Sequence, residues 1–175
     1  MHGKSIWTIG HSTRSVEEFL ELLHEHEVEA LVDVRSFPGS RRYPHFNSEH
    51  LSATLEDFGV EYRHMPELGG RRKPRPDSRN TAWNNEGFRG YADYMETEGF
   101  KEGIERLLEL GRRKRTTVMC AEAVWWRCHR SMIADFLKTR EVEVVHILTS
   151  GKTEIHPYTA VARIVEGHLS YRGLL

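Results

Sequence analysis

Apolar and polar positions change rhythm repeatedly along this chain, and each change marks an element. Residues 5–9 read as a first strand that runs into Gly10-His11-Ser12-Thr13. Ser15-Val16-Glu17-Glu18 has the spacing of a capping box, in which a serine hydroxyl and a glutamate satisfy the free amides of a helix start. Val16, Phe19, Leu20 and Leu23 then mark one helical face to about His26. Residues 30–34 are apolar except for Asp33, the pattern of a strand buried on both faces. Pro38-Gly39 breaks that run. A second helix, capped by Asn47 or Ser48, carries Leu51, Leu55 and Phe58 and stops at Gly59. Residues 60–65 read as a third strand, closed by Pro66-Glu67-Leu68-Gly69-Gly70. Helices are predicted over 86–96 and around Ile104, Leu107 and Leu108, the latter ending at Gly111. A fourth strand over 116–120 leads to a helix that opens at Cys128-His129-Arg130-Ser131. Residues 142–148 make a fifth strand, and Pro157 is placed to start a last helix through Ile164 and Val165. Residues 69–84, basic and proline-containing, are the least structured part of the pattern.

Strands that alternate with helices imply a parallel sheet covered on both faces. The expected fold is α/β, a single-domain Rossmann-like three-layer sandwich with a mainly parallel five-stranded sheet. A chain of 175 residues suits one such domain. Right-handed crossovers restrict the topology, and the expected strand order is 3-2-1-4-5. The first and fourth strands are then neighbours at a switch point, where open sheets bind ligands. His11-Ser12, Asp33 to Arg35, Glu67 and Cys120 to Glu122 all follow strands, so this fold gathers them at one edge.

Composition narrows the class. Hydrophobic residues make up 38% and charged residues 29%, which fits a folded globular protein. A net charge of −1, from 25 basic and 26 acidic residues, argues against a general nucleic-acid coat while leaving room for a local basic patch. Two cysteines are too few for a disulfide scaffold, which favours a reducing, cytoplasmic setting. No apolar run approaches the ~20 residues of a membrane span, and Met1-His2-Gly3-Lys4 leads straight into a strand without a signal peptide pattern.

The candidate chemistry is densest from Cys120 to Ser131. Thiol, carboxylate, imidazole and guanidinium meet there where a strand hands over to a helix, a place that offers free amides to anions. Cys120 and Cys128 are nucleophile candidates, each weighed against a role as a small packed hydrophobe. His11, Asp33, Glu122 and His129 are acid–base candidates. Ser12, Arg35, Arg42, His45, Glu67, Arg130 and Ser131 are candidate ligand contacts, with Arg35 and Arg130 gripping an anion. Asp33 and Arg35 share a strand face and also suit a structural ion pair. A redox disulfide between the two cysteines is an alternative, as is zinc binding with His129 and His11, which is not favoured. Against zinc stands their spacing, wider than familiar signatures. Ser40-Arg41-Arg42-Tyr43-Pro44-His45-Phe46 and the 71–79 loop mix bases with aromatics, a composition for a positively charged mouth. Trp125-Trp126 suits stacking on a base, or packing as a hydrophobic plug or a dimer contact, and packing is preferred.

Six motifs occur in order: Thr8-Ile9-Gly10-His11-Ser12, Val32-Asp33-Val34-Arg35-Ser36, Pro44-His45-Phe46-Asn47, Pro66-Glu67-Leu68-Gly69-Gly70, Met119-Cys120-Ala121-Glu122 and Cys128-His129-Arg130. Together they resemble the bacterial and archaeal family called domain of unknown function 488, over residues 6–147. The resemblance implies a Rossmann-like α/β domain and brings no assigned activity or catalytic residue. The spacer from Ala123 to Arg127, with its two tryptophans, departs from the Asp/Pro-containing spacers of the family. A looser analogy is to the rhodanese and cysteine-phosphatase plan, although Arg127 lies seven residues after Cys120 and the loop is not glycine-rich. The function expected is an enzyme acting on a phosphate-bearing ligand, a nucleotide or nucleic-acid component. A non-enzymatic nucleic-acid-binding module and a thiol-based sulfur-transfer protein are the alternatives.

Overall fold

The computed structural model describes residues 5–39 and 41–173. Met1-His2-Gly3-Lys4 and Ser40 of the first basic loop lie outside the described residues. A six-stranded sheet forms the centre, with the strands β1 (Ser5–Gly10), β2 (Ala30–Asp33), β3 (Glu61–His64), β4 (Thr116–Cys120), β5 (Glu143–Thr149) and β6 (Lys152–Ile155). Between them run the helices α1 (Val16–Glu25), α2 (Ser48–Asp57), α3 (Glu86–Tyr94), α4 (Glu98–Arg113) and α5 (Arg130–Thr139). The α/β three-layer expectation holds. The first five strands pair parallel with one another, and β6 pairs antiparallel with β5.

The strand order is 3-2-4-1-5-6, not 3-2-1-4-5. β4 lies between β2 and β1, with Thr117 opposite both Leu31 and Trp7. Both orders keep β1, β2 and β4 interior and bury the same apolar positions, so the hydrophobic pattern cannot separate them. The expected adjacency of β1 and β4 survives.

Strand parity divides the core. Ile9, Leu31, Met119 and Ile147 pack with Phe19 and Leu23 of α1 and Leu51 and Leu55 of α2. Ile6, Val32, Val118 and Cys120 face the other way, toward Tyr91 of α3, Leu107 of α4 and Met132 of α5. Alternate side chains of a strand must serve opposite faces, which is why every residue of β2 and β4 is buried. The helices after β1 and β2 cover one face, and the helices flanking β4 cover the other. The connections therefore diverge around the carboxyl end of β4, where such a sheet opens a crevice.

The capping box at α1 is present, with Ser15 Oγ accepting from Glu18 N at 3.1 Å. α4 continues past Gly111 to Arg113. That glycine marks close packing, since a Cβ there would lie 2.7 Å from Ile6 Cδ1. The expected last helix is absent. Its place is taken by an irregular segment and a hairpin of β7 (Arg163–Val165) and β8 (His168–Ser170). Glu166 and Gly167 both have positive φ, 52° and 80°, the turn that suits a two-residue hairpin. Among the described residues no helix is long and apolar enough to cross a membrane.

Candidate active site

A cavity of about 830 Å³ opens at the carboxyl edge of the sheet. His11, Ser12, Arg35, Arg42, Cys120, Glu122, Cys128 and His129 line it, as do Ser36, Phe37, Tyr43, Gly70, Arg71, Phe88, Tyr91 and Arg127. The two sides of the sheet supply different chemistry.

From one side come Asp33, Arg35 and His11. Asp33 is fully buried and clips the Arg35 guanidinium with both oxygens, Nε at 2.9 Å and Nη2 at 2.7 Å. It also accepts the Arg35 amide at 3.1 Å and the Tyr62 hydroxyl at 2.6 Å. Burial and the Asp33 carboxylate raise the Tyr62 pKa, so the phenol stays a donor. Asp33 itself does not line the cavity. Its chemistry is to hold Arg35, whose Nη1 lies 3.3 Å from His11 Nε2. Guanidinium nitrogens only donate, so His11 Nε2 accepts, and His11 Nδ1 donates to Ser12 O at 2.9 Å. Burial above all lowers the His11 pKa from 6.5 to about 4, and the Arg35 charge adds to this. His11 is therefore a neutral strut with both nitrogens engaged, poorly suited to the acid–base work expected of it.

From the other side come the thiols and His129. His129 Nε2 lies 3.1 Å from Val34 O. A carbonyl only accepts, so the neutral ring carries its proton there and turns the Nδ1 lone pair to the Cys128 sulfur, 3.5 Å away. Burial keeps the His129 pKa below the ordinary imidazole value. Gly70 makes this seat possible, because a Cβ there would fall 2.9 Å from Nδ1. Tyr91 packs against the ring at 4.9 Å.

Cys128 precedes α5. Burial raises its pKa, but the Cys120 S–H, the Arg130 guanidinium and the Arg130 amide outweigh burial, and the net shift is downward. The Cys128 sulfur thus sits at this helix start with its acidity raised. Cys120 is the opposite case. Burial first, then its hydrogen bond to Cys128, pushes its thiol well up.

Several expected contacts sit elsewhere. Arg130 is 1% exposed and does not line the cavity. Its guanidinium donates to Glu122 O and Ala123 O, both at 2.9 Å, and to Thr8 Oγ1 at 3.2 Å. It fastens the loop after β4 where an anion grip was expected. That loop passes directly over Gly10, where a Cβ would lie 1.6 Å from Glu122 O. Gly10 thus admits the protein's own loop. Ser131 is buried and donates to Cys128 O at 2.8 Å. His45 Nε2 meets Arg14 O at 3.0 Å, and Glu67 pairs with Arg106 at 2.9 Å. Neither lines the cavity. Glu122 does line it, with an exposed side chain.

The 69–84 loop is more ordered than its composition suggests. Asp93 accepts from Arg75 N at 2.8 Å, Ser78 Oγ at 2.6 Å and Asn80 Nδ2 at 2.7 Å. Arg72 lies over Tyr94, 3.6 Å from its centroid. Of this loop's cations, Arg71 lines the cavity, and it sits 5.3 Å from the Phe37 ring centroid. Phe37, Tyr91 and Gly70 line the site without a reactive side chain to mark them in sequence, and Gly70 belongs to the Pro66-Glu67-Leu68-Gly69-Gly70 motif.

Behind the loop runs a buried polar chain. Thr8 Oγ1 meets His146 Nδ1, His146 Nε2 meets His156 Nδ1 at 2.8 Å, and His156 Nε2 meets Asp135 Oδ1 at 2.8 Å. Asp135 also accepts from Thr159 N at 2.9 Å and from the Thr159 and Tyr171 hydroxyls, both at 2.6 Å. Trp125 stacks on His146 at 4.8 Å and donates Nε1 to Glu154 at 2.9 Å. It is the plug of the pair, and Trp126 is exposed. Among the described residues no group of three or more His, Cys, Asp or Glu side chains is placed to hold a metal.

A family model described as domain of unknown function DUF488 matches residues 15–137, more than half of the chain. The chain belongs to this family. No curated protein and no solved structure matches it. In this DUF488 chain the matched segment holds Arg35, Gly70, Cys120, Cys128 and His129, while His11 and Ser12 precede it.

Proposed function

We propose that this protein is an enzyme that acts on a phosphate-bearing ligand, a nucleotide or nucleic-acid component, in a reducing cytoplasmic setting. The observation that carries this reading is the placement of an activated thiol, Cys128, beside an oriented base, His129, in a cavity that also presents a clamped arginine, Arg35. A nucleophile within reach of a base that is itself held by a third group is the arrangement covalent catalysis needs. Arg42, Arg71 and Arg127 line the same cavity, against one carboxylate among its lining residues, Glu122. That excess of positive charge suits an anion.

In this reading Arg35 binds the phosphate. Asp33 and His11 hold the guanidinium in place, so little side-chain entropy is lost on binding. The Cys128 proton passes to His129 Nδ1, and the sulfur attacks phosphorus. The P–O bond to the leaving group breaks, and His129 returns the proton to the departing oxygen. Water or an acceptor hydroxyl then displaces the sulfur, with Glu122 placed to take its proton. The pairing of Arg71 with Phe37 and of Arg42 with Tyr43, 5.7 Å from the ring centroid, supports a base-bearing ligand, since both faces suit stacking.

The test is iodoacetamide labelling of the reduced protein, with and without nucleoside monophosphates, together with a turnover screen of phosphate esters. Cys128 should label fastest, and bound nucleotide should slow it. Arg35→Ala should weaken nucleotide binding by about 1–3 kcal/mol. If no phosphate compound protects Cys128 and none is turned over, the reading fails. The same arginine–aromatic pairs favour a second reading, a nucleic-acid-binding module without turnover. It would show itself by binding of single strands that weakens steeply with salt.

A further inference from the structure

Cys120 makes no bond in the chemistry above, yet it is free like Cys128, lines the same cavity, and each thiol shifts the other's acidity; its own hydrogen bond runs to Glu122 O at 3.6 Å. We propose that Cys120 and Cys128 form a reversible thiol–disulfide couple, in which Cys128 captures an anionic low-molecular-weight disulfide and Cys120 resolves the adduct. This rests on the reading of Cys128 as the reactive thiol of the cavity. It adds a second type of substrate to that site and a means of turning the site off.

Strand parity brings the sulfurs together. Cys120 ends β4 on the face that carries Tyr91 and Met132, the same cluster to which Cys128 belongs. Both line the cavity, so an oxidant that enters it meets them. Their backbone settings differ. Cys120 is held in register with Gly10, and its carbonyl accepts from His11 N at 2.9 Å. Cys128 follows a single 3-10 turn, Trp125–Arg127, at the end of a segment without regular structure. The movement that a covalent bond between them requires therefore falls to Cys128. Their acidities differ in the sense the roles require. Cys128 is shifted toward the thiolate and attacks first. Cys120 keeps its proton until a mixed disulfide forms. Arg42, Arg71 and Arg127 supply the attraction for an anionic oxidant.

The step balances as follows. The Cys128 thiolate attacks one sulfur of the oxidant disulfide, whose S–S bond breaks, and the departing thiolate takes up a proton. Cys120 then loses its proton and attacks Cys128 Sγ, expelling the second thiol. The dithiol has given up two electrons, and the oxidant has become two thiols. The product disulfide joins the end of β4 to the start of α5 and removes the nucleophile. A reducing thiol reverses it.

The experiment uses the full chain, oxidised glutathione, and intact mass measured before and after N-ethylmaleimide. The wild type should lose the mass of two hydrogens, carry no lasting adduct and refuse the label at both cysteines until reduced. Cys120→Ala should instead accumulate glutathione on Cys128, and Cys128→Ala should stay unmodified. A lasting adduct on the wild type, or no reaction over the time in which a free thiol exchanges, overturns the couple. So does an adduct on Cys120 in Cys128→Ala. The wild-type result decides even if a variant fails to fold. Nucleotide protection of Cys128 in the reduced protein is read separately. Protection without disulfide formation removes the couple alone, and disulfide formation without protection removes the phosphate reading alone.

Discussion

Replacing Asp33 with Ala should expose how firmly the anion-binding arginine is held. Asp33 is fully buried and Arg35 is 9% exposed, so solvent screens the pair only weakly. Removing the carboxylate leaves a buried guanidinium without its counter-charge and Tyr62 without its acceptor. Breaking a buried pair in this way costs about 3–5 kcal/mol. Arg35→Ala should cost less, about 2–3 kcal/mol, because Asp33 keeps the Tyr62 hydroxyl and the residue-35 amide. The double variant leaves no buried charge behind. Its loss should therefore fall short of the two single losses combined by about 2 kcal/mol. Urea unfolding of the four proteins at neutral pH, followed by far-UV circular dichroism, closes the cycle. Additivity within about 0.5 kcal/mol would show that the two groups do not hold each other, and the preorganised arginine would go with it.

Acid should weaken the fold through His11. Its pKa is lower folded than the unfolded value of 6.5, at about 4, so the unfolded state binds more protons between these limits. Stability is then full above pH 6.5 and falls as pH drops toward 4, by about 3 kcal/mol at about 1.4 kcal/mol per pKa unit. His146, lowered to about 2, should extend the loss to more acid pH. Urea unfolding across this range should show the slope, and His11→Asn should flatten its upper part. Gly70→Ala should push the His129 ring from its seat and slow Cys128 alkylation on the order of tenfold, with the unfolding midpoint less affected. An unchanged labelling rate would detach His129 from Cys128. Trp125→Phe keeps the stack on His146 but loses the bond to Glu154, and should cost about 1 kcal/mol in urea unfolding. No measurable loss would mean that Glu154 contributes nothing to holding the plug.

Much of the fold was written in local rhythm. The box from Ser15 to Glu18, the buried runs around Asp33 and Cys120 and the gathering of strand ends at one edge were all legible, because each depends on near neighbours. The position of β4 was not, since a strand moved by one place keeps every side chain on its face. The final hairpin has local signals of its own. Gly167 and the β-branched pair Ile164 and Val165 favour a turn between strands, and they outweigh Pro157, which suits a helix start. At the site, the residue types were visible while their partners were not. Nothing near Arg130 in sequence announces that the backbone of residues 122 and 123 will occupy its guanidinium. Nor does the basic loop announce that Asp93 organises it.

The hydrogen-bonded chain from Arg130 to Asp135 has a direction. Arg130 at one end can only donate and Asp135 at the other can only accept, so the chain runs from a donor to an acceptor. Its two charged ends belong to one helix, and they clamp different things: Arg130 the loop over Gly10, Asp135 the segment that carries His156, Thr159 and Tyr171. The mouth of the cavity and the far hairpin are therefore fastened by one bolt through the middle of the molecule. A disturbance at Tyr171, which does not line the cavity, reaches Arg130 beside the thiol through five polar links, all of them beyond solvent's reach to soften.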